Sequence, residues 1–328
     1  MKKIVITGGA GFIGSHVTEQ ICESFPDAQV VVLDKMTYAA DIGYLLPLVQ
    51  AKRIELSVGD VCDYKFCVEV LAGCDLLIHA AAESHVDRSF HSSMLFTRTN
   101  AVGTHTILEA ARTTHVPRII HVSTDEVYGE VMTSARDETG AMNPTNPYSA
   151  SKAAAEMIVR GYLHSFKLPI IVVRANNVCG IRQFPEKLIP RSIMALIAGE
   201  KIPLHGTGKN TRHYLCATDF ALALALLAKK GKDNETYNIG SPDEFTNRAV
   251  AEMICASFGY DPKDHITYVA DRPFNDRRYL ISWDKIAQLG WKPQRTLPLE
   301  LPAIVAWYRK NADNMLSRMS LAKTHDQD

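Results

Sequence analysis

A short β-branched run leads directly into a glycine-rich turn near the start of the chain. Residues 3–7 read KIVIT, Gly8, Gly11 and Gly14 follow at intervals of three, and an amphipathic segment covers residues 12–25. A strand, a tight turn and a helix in this order let the backbone approach a pyrophosphate, which then lies at the positive end of the helix. The sequence therefore predicts a dinucleotide site at this turn, although an ordinary strand-to-helix turn can look the same.

An acidic residue ends the next predicted strand. This strand covers residues 29–33, and Asp34 follows it, twenty residues after Gly14. A carboxylate at this distance accepts hydrogen bonds from the adenosine ribose hydroxyls. Because it would repel the 2′-phosphate of NADP, we predict NAD as the cofactor. The neighbouring Lys35 weakens this preference slightly.

The alternation of strand and helix continues through the first half of the chain. Strands are predicted at 53–58, 76–80, 118–123 and 169–174, and helices at 63–71, 94–113 and 148–166. This repeated pattern predicts an α/β fold built on a doubly wound parallel sheet, the Rossmann arrangement.

Ligands bind such sheets beyond the carboxyl ends of the strands. Four predicted strand ends are polar, namely Asp34, Asp60, residues 80–87 (AAAESHVD) and residues 123–126 (STDE). Polar loops at one edge of a sheet are common, so position alone fits a solvated edge equally well.

A tyrosine and a lysine follow the acid pair Asp125-Glu126. Tyr148 and Lys152 are four residues apart, so on a helix their side chains share one face. A tyrosine has a pKa of about 10, and its use as a base near neutrality requires a decrease of roughly 3 units. A fixed ammonium and a cationic cofactor ring would provide it. About one such pair is expected by chance, so the motif indicates a catalytic site only together with the other features of the sequence.

After residue 174 the alternation becomes irregular. Helices are predicted at 218–230, 247–258, 283–289 and 299–311, and strands at 236–239 and 266–269. We expect an NAD-binding Rossmann domain of residues 1–177 with 212–240, and a smaller interleaved substrate domain of residues 178–211 and 241–328. We expect the polar residues 319–328 to be disordered.

Charge and composition exclude several classes of protein. Lys plus Arg equals Asp plus Glu at 36 each among 328 residues, so we expect neither a nucleic-acid nor a membrane partner. The seven cysteines form no C-x-x-C pair and are expected to be reduced thiols. Since apolar runs are too short for a leader or a membrane span, we expect a soluble, cytoplasmic protein, and we predict no metal site.

Four features occur in order: the glycine turn, Asp34, the acid pair and the Tyr148–Lys152 pair. In this layout the chain resembles the extended short-chain dehydrogenase/reductase superfamily and, within it, the dTDP-glucose 4,6-dehydratases. The similarity extends nearly end to end, through TGGAGFIGSH, LDKMTYA, HAAAESHVDRS, STDEVYG, PTNPYSASKAAAE, QFPEKLIP, HGTGKNTRHYL, DRPFNDRRY and LGWKP. The Thr-Asp-Glu triplet distinguishes the dehydratases from related 4-epimerases and UDP-glucuronate decarboxylases, which usually lack both acids.

The resemblance implies a mechanism. Tyr148 takes the proton of the C4 hydroxyl while hydride passes to NAD, and Lys152 lowers the pKa of the tyrosine and holds the nicotinamide ribose. The C4 ketone makes the C5 proton acidic; Glu126 removes it, and protonated Asp125 donates to the departing C6 hydroxyl. Return of the hydride to C6 and of a proton to C5 gives the 4-keto-6-deoxy sugar and restores NAD. Adjacent carboxyls also oppose each other's ionisation, which favours one acid and one base.

The resemblance also implies the site residues. The catalytic residues are Thr124, Asp125, Glu126, Tyr148 and Lys152. The NAD-binding residues are Gly8, Gly11, Phe12, Ile13, Gly14, Asp34, Lys35, Thr37, Asp60, Val61, Ala80, Ala82, Thr99, Tyr148 and Lys152. The substrate-binding residues are Ser84, Thr124, Asn177, Lys187, Leu188, Pro203, His205, Arg212, Asn247, Arg272 and Asn275. The cationic members suit a diphosphate, and a surface salt bridge is the alternative for Arg212 and Arg272.

Several positions depart from the pattern of the family, namely Cys179, Ile181, Arg182, His205 and Asn275. They lie around the expected sugar and base pocket. The departures leave the reaction class unchanged but keep two substrates open, dTDP-glucose, which we favour, and UDP-glucose. These two nucleotides differ by a methyl and a hydroxyl group, worth only about 1 to 3 kcal/mol each.

Two other functions fit parts of the sequence. A nucleotide-sugar 4-epimerase would use the same Tyr148 and Lys152, and an NAD-sensing regulator could share the fold but would have no need of the acids. The helices starting near residues 94 and 148 resemble those that pair two subunits into a four-helix bundle in this superfamily, so we expect a homodimer.

Overall fold

The computed structural model describes residues 1–325, with side chains through residue 322. The strands are β1 (Lys3–Thr7), β2 (Gln29–Asp34), β3 (Ile54–Val58), β4 (Leu76–His79), β5 (Ile119–Thr124), β6 (Ile170–Ala175), β7 (Asn177–Cys179), β8 (Ile202–His205), β9 (Thr211–Cys216), β10 (Thr236–Ile239), β11 (Glu244–Thr246) and β12 (Ile266–Val269). The helices are α1 (Phe12–Ser24), α2 (Leu46–Gln50), α3 (Tyr64–Leu71), α4 (Val86–His91), α5 (Ser93–Phe96), α6 (Gly103–Thr113), α7 (Pro147–Phe166), α8 (Leu188–Ile197), α9 (Ala217–Lys230), α10 (Asn247–Phe258), α11 (Pro262–His265), α12 (Asp284–Ala287), α13 (Leu297–Lys310) and α14 (Ala312–His325). Short 3₁₀ turns cover Ile42–Leu45 and Asp125–Tyr128, and a π-helical turn covers Thr97–Val102.

A seven-stranded parallel sheet, in the order β3-β2-β1-β4-β5-β6-β10, forms the centre of the molecule. Because side chains alternate along a strand, Ile4 and Ile6 of β1 face one hydrophobic core, whereas Val5 faces the other. Helices cover both faces, and the sequence order reverses between β1 and β4. The predicted doubly wound α/β fold is confirmed.

The helix predicted at residues 94–113 is interrupted. The π-helical turn Thr97–Val102 separates α5 from α6, and insertions of this kind often occur at functional sites. The turn contains Asn100, whose amide donates to the carbonyl of Glu83 (2.9 Å) and to the hydroxyl of Ser151 on α7 (2.8 Å). It therefore links the loop after β4 to the start of α7.

Two small sheets and a third core lie beyond the main sheet. β7, β9 and β11 form one sheet, and β8 pairs with β12. Helix α8 was not predicted because of its proline, but Pro190 lies in the first turn, where it is tolerated. The pairing of β10 with β6 agrees with the expected return of the chain to the NAD-binding domain at 212–240. We keep the domain division as a proposal.

The last described helix, α14, contradicts the expected disorder at residues 319–325; residues 326–328 lie outside the described part. The fully buried Met315 anchors the helix. The guanidinium of Arg318 donates to the hydroxyl of Tyr44 (2.6 Å) and to the carbonyls of Tyr38 (3.2 Å) and Ala40 (3.1 Å). These contacts stabilise a helix that its polar sequence alone did not predict.

All seven cysteines are free thiols, as predicted, and all except the partly exposed Cys62 are buried. Within residues 1–325, no helix has both the length and the apolar character that crossing a membrane requires.

Candidate active site

A cavity of about 930 Å³ lies at the carboxyl ends of the parallel strands. Every residue predicted to bind NAD lines it. The predicted substrate residues that line it are Ser84, Thr124, Asn177, Lys187, Leu188, Arg212, Asn247, Arg272 and Asn275. The structure thus brings most of the predicted site together, and the exceptions are Asp125, Pro203 and His205.

The glycine turn closes one end of the cavity. Gly8 has a φ of +70°, and a Cβ on Gly14 would lie 1.9 Å from the carbonyl oxygen of Gly8. A Cβ on Gly11 would meet that oxygen only at 3.3 Å. The turn leads into the N-terminus of α1, so its geometry fits the pyrophosphate of a dinucleotide.

Asp34 is held by the backbone on both of its oxygens. Oδ2 accepts from the N–H of Ala10 (3.0 Å) and Oδ1 from the N–H of Met36 (2.9 Å). Burial raises the pKa of Asp34, and these two bonds oppose the rise. Lys35 pairs with Asp60 at 2.9 Å, so its charge is already engaged. The arrangement fits the ribose hydroxyls of NAD.

Asp125 and Glu126 follow β5 but occupy different environments. Asp125 is 2% exposed, and its Oδ2 accepts from the side-chain amide of Asn176 at 2.7 Å. Burial raises the pKa of Asp125 to about 7, and the carboxylate of Glu126 adds to the rise. Glu126 faces the cavity, where it accepts from the amide of Asn146 at 3.3 Å. One carboxyl is therefore kept as an acid behind the wall while its neighbour is open to a ligand.

The N-terminus of α7 positions Tyr148 and Lys152. Asn146 caps the helix by accepting from the N–H of Ser149 at 2.9 Å, so the tyrosine lies in the first turn. Burial is the main cause that raises the pKa of Tyr148, and Glu126 adds to it. The ammonium of Lys152 donates to the carbonyl of Val122 at 2.7 Å, and burial lowers the pKa of this lysine to about 8. That Lys152 lowers the pKa of Tyr148 stays a prediction for the NAD-bound site.

Three of the predicted substrate-binding residues that line the cavity are cations. Arg212 donates to the carbonyl of Asp276 at 2.9 Å, and its guanidinium lies over the ring of Tyr279 at 4.7 Å. The ammonium of Lys187 donates to a backbone carbonyl of the loop after β4 at 2.5 Å. Arg272 forms a salt bridge with Asp87 at 2.5 Å, as the alternative interpretation predicted. It also lines the cavity. Three fixed positive charges suit a diphosphate.

Pro203 and His205 are not on the wall of the cavity. Both belong to β8, which pairs with β12 in a small separate sheet. His205 Nδ1 lies 3.1 Å from the carbonyl oxygen of Ala270. Their assignment to the substrate site stays a prediction without a supporting contact.

Comparisons with known proteins agree with this geometry. The family model described as GDP-mannose 4,6 dehydratase matches residues 5–300. The dTDP-D-glucose 4,6-dehydratase of Bos taurus is 39% identical over 321 residues, which cover 95% of this chain and 90% of the relative. The chain belongs to the dTDP-glucose 4,6-dehydratase family.

Two further proteins are similar over most of this chain. A crystal structure of dTDP-glucose 4,6-dehydratase from Streptomyces venezuelae with NAD and TYD bound has a TM-score of 0.92 and 38% identity, covering 94% of this chain and 97% of that one. A trifunctional UDP-glucose 4,6-dehydratase, 3,5-epimerase and reductase of Arabidopsis thaliana is 43% identical over 318 residues, or 95% of this chain. These residues cover 48% of the relative, so the chain spans about half the length of the first curated relatives it matches.

The positions that depart from the family pattern have different roles. Cys179 is buried on the wall, where a hydrogen bond with Cys216 and burial raise its pKa. Arg182 instead forms a double hydrogen bond with Glu19 of α1, at 2.8 Å for each nitrogen. It therefore joins the loop after β7 to the helix of the glycine turn.

Sequence analysis missed several residues of the wall, among them Tyr38, Asn146, Asn176, Phe184, Asp276 and Tyr279. Asn146 could have been found, because asparagine before the proline that begins a helix is a cap signal. Tyr279 lies in the charged loop after β12; its hydroxyl donates to Asp276 and lies 3.4 Å from Glu126. No sequence spacing relates these two residues, which are far apart in the chain.

Proposed function

We propose that the protein is an NAD-dependent nucleoside-diphosphate-glucose 4,6-dehydratase that makes a 4-keto-6-deoxy sugar. The observation that carries this proposal is the carboxyl pair after β5, in which Asp125 has a pKa of about 7 and Glu126 opens to the cavity. A 4-epimerase needs no such pair. When bound, NAD accepts a hydride from C4 of the sugar and returns it to C6.

Tyr148 and Lys152 carry the proton of the first step. The hydroxyl of Tyr148 faces the cavity near Thr124 and takes the proton of the C4 hydroxyl. The ammonium of Lys152, oriented by the carbonyl of Val122, holds the nicotinamide ribose. Its positive charge also favours the ionised form of Tyr148.

Glu126 and Asp125 carry the water elimination. Once C4 is a ketone, Glu126 removes the adjacent C5 proton, and the hydrogen bond from Asn146 orients its carboxylate. Asp125 donates a proton so that the C6 oxygen leaves as water. The pKa of about 7 suits this role, since a general acid works best when its pKa lies near the operating pH.

The diphosphate is proposed to lie among Arg212, Lys187 and Arg272. The relatives support two nucleotides, because the Bos taurus protein is described as acting on dTDP-D-glucose and the Arabidopsis protein on UDP-glucose. We favour dTDP-glucose and keep UDP-glucose as the second candidate.

Product mass tests the function directly. The purified protein is incubated with dTDP-glucose and, separately, with UDP-glucose, and we expect a product lighter by one water from at least one of them. Tyr148→Phe should abolish this conversion, whereas Tyr162→Phe, on the same helix but bonded to Glu109, should not. A product of unchanged mass would instead indicate epimerisation and contradict the proposal.

We propose a homodimer through α5, the π-helical turn and α7, which pack together. They expose Met94 (79% exposed), Val102 and Met157, which would be costly to leave in water as one patch. In sedimentation, Met94→Asp combined with Met157→Lys should give monomers. Leu299→Asp, which changes an equally exposed leucine on α13, should leave the dimer intact. A cytoplasmic location stays a prediction.

A further inference from the structure

Asn176 lies directly after β6 and contacts the proposed acid of the reaction. We infer that Asn176 is a positioning residue that fixes the transferable proton of Asp125 on Oδ1, the oxygen next to Thr124. This inference rests on the proposed function, in which Asp125 protonates the departing C6 oxygen.

The orientation of the Asn176 amide is determined by its neighbours. Its Oδ1 lies 3.1 Å from the backbone nitrogen of Ser241; since a backbone N–H only donates, the atom facing it must be the amide oxygen. The backbone of Asn176 is also held, because its N–H donates to the carbonyl of Ile239 at 3.1 Å. A Cβ on Gly240 would come within 2.9 Å of Asn176 Oδ1. The glycine therefore leaves the space that the amide oxygen occupies.

A fixed amide determines which oxygen of Asp125 carries the proton. Asn176 Nδ2 lies 2.7 Å from Asp125 Oδ2, and an amide nitrogen can only donate. Oδ2 is thus an acceptor, and the proton belongs on Oδ1. The hydroxyl of Thr124, which lines the cavity, donates to Oδ1 at 3.3 Å when Asp125 is ionised, and it can accept from Oδ1 when Asp125 is protonated. The proton therefore lies on the side of Asp125 that is next to Thr124, between Asp125 and the cavity.

The charged and titratable groups around Asp125 come from three elements. Glu126 lies in the same turn, Tyr148 on α7 and Arg212 on β9. Behind Asn176, His213 of β9 donates from Nδ1 to the carbonyl of Ser241 at 2.8 Å. Burial raises the pKa of Asp125 to about 7, and the hydrogen bond from Asn176 limits the rise. Loss of this bond should therefore extend the protonated form to higher pH.

The test measures water elimination against pH in single turnovers, by quenching and product mass, in parallel with the absorbance of reduced nicotinamide. In Asn176→Leu, the loss of rate at high pH should move upward by about one pH unit, because a hydrogen bond to a charged group is removed. The rate at pH 6 should fall roughly tenfold, because proton transfer requires a positioned acid. Reduction of NAD at C4 should fall less than water elimination does.

A second variant distinguishes a loss of proton positioning from misfolding of Asn176→Leu. Asn176→Asp keeps the volume and the bond to Ser241, but places an acceptor against Asp125 Oδ2. It should move the high-pH loss in the same direction and further, since two facing carboxyls oppose each other's ionisation. A structural role alone would lower stability without moving this pH dependence.

Asn238→Leu is the matched control. Asn238 is a fully buried amide on β10, next to β6, and accepts from the hydroxyl of Tyr128 at 2.9 Å. Its replacement should lower the Tm and leave the pH dependence unchanged. If both Asn176 variants keep the wild-type pH dependence, or if Asn238→Leu moves it equally, the inference is wrong. A wild-type protein that removes water from neither nucleotide sugar would contradict the proposed function itself.

Discussion

Asp34 and Asp125 end two strands of the same sheet and are 7% and 2% exposed, yet their surroundings suit them to different roles. Asp34 accepts from two backbone N–H groups and has no carboxylate beside it in the chain. Asp125 accepts from one side-chain amide and is followed by Glu126. Burial raises both pKa values, that of Asp125 to about 7. The donors around a buried carboxyl therefore determine whether it serves as a fixed acceptor or as a proton source.

The same contrast separates the two ends of the cavity. At the Asp34 end, backbone groups and glycines shape a binding surface, so substitutions there should act on cofactor affinity. At the Asp125 end, side chains would carry the proposed chemistry, so substitutions there should stop a single step. Three experiments test this division.

The largest effect is expected at the Asp125 end. Glu126→Gln removes the base for the C5 proton and should lower turnover by about 10² to 10⁴-fold, the usual contribution of general base catalysis. Reduction of NAD at C4 should persist, so reduced nicotinamide should accumulate in a single turnover. Glu130→Gln, in the same loop and paired with Arg277 on the surface, is the control. Normal turnover by Glu126→Gln would show that its assigned role is wrong.

At the Asp34 end, Gly14→Ala should mainly abolish cofactor binding. Its Cβ would lie 1.9 Å from the carbonyl oxygen of Gly8, whereas that of Gly11→Ala would lie at 3.3 Å. We expect NAD to be lost from purified Gly14→Ala and retained, with at most a modest loss of affinity, in Gly11→Ala. Titration of NAD by calorimetry measures both, and equal affinities would contradict the role of the close approach.

The smallest effect concerns stability and its pH dependence. Asp125 has a folded pKa of about 7, above the unfolded value of about 3.9. As pH rises from about 4 to 7 the unfolded chain loses this proton while the folded chain keeps it, so stability falls. Asp125→Asn removes this penalty, at most about 4 kcal/mol, and should be more stable relative to wild type at pH 8 than at pH 4.

Asp34→Asn removes a penalty of the same sign, because burial raises the pKa of Asp34 as well, but we expect it to gain less stability at pH 8. Its new amide would place a donor against the N–H of Ala10 or Met36, which costs about 1 to 3 kcal/mol at pH 8. Urea unfolding at both pH values measures the two variants. If both asparagine variants were destabilised equally at pH 8, the two environments would not differ as described.

The sequence predicted the main sheet well because its buried strands are short, β-branched and separated by amphipathic helices. β1, β10 and α10 have the predicted bounds. The prediction failed where tertiary contacts override local pattern. Pro190 concealed α8, and the polar α14 depends on Arg318 and on the buried Met315.

For the site, sequence reasoning located the strand ends but not the contacts between them. Asp125 was predicted as a catalytic residue, yet its place behind Thr124 and its bond to Asn176 depend on how β5 and β6 pair. Pro203 and His205 were assigned by resemblance, and the pairing of β8 with β12 keeps them off the wall. Residue type and spacing carry no information on such hydrogen bonds between distant segments.

The contacts of Arg318 have a consequence for how the protein would keep the proposed NAD. A reaction that returns its hydride within each cycle gains nothing from exchanging the dinucleotide, and slow release protects the reduced form from escaping halfway. Helix α14 holds the 38–44 loop that follows Asp34, and Arg318 itself lines the cavity. A chain truncated after α13 would therefore turn a resident coenzyme into a diffusible one.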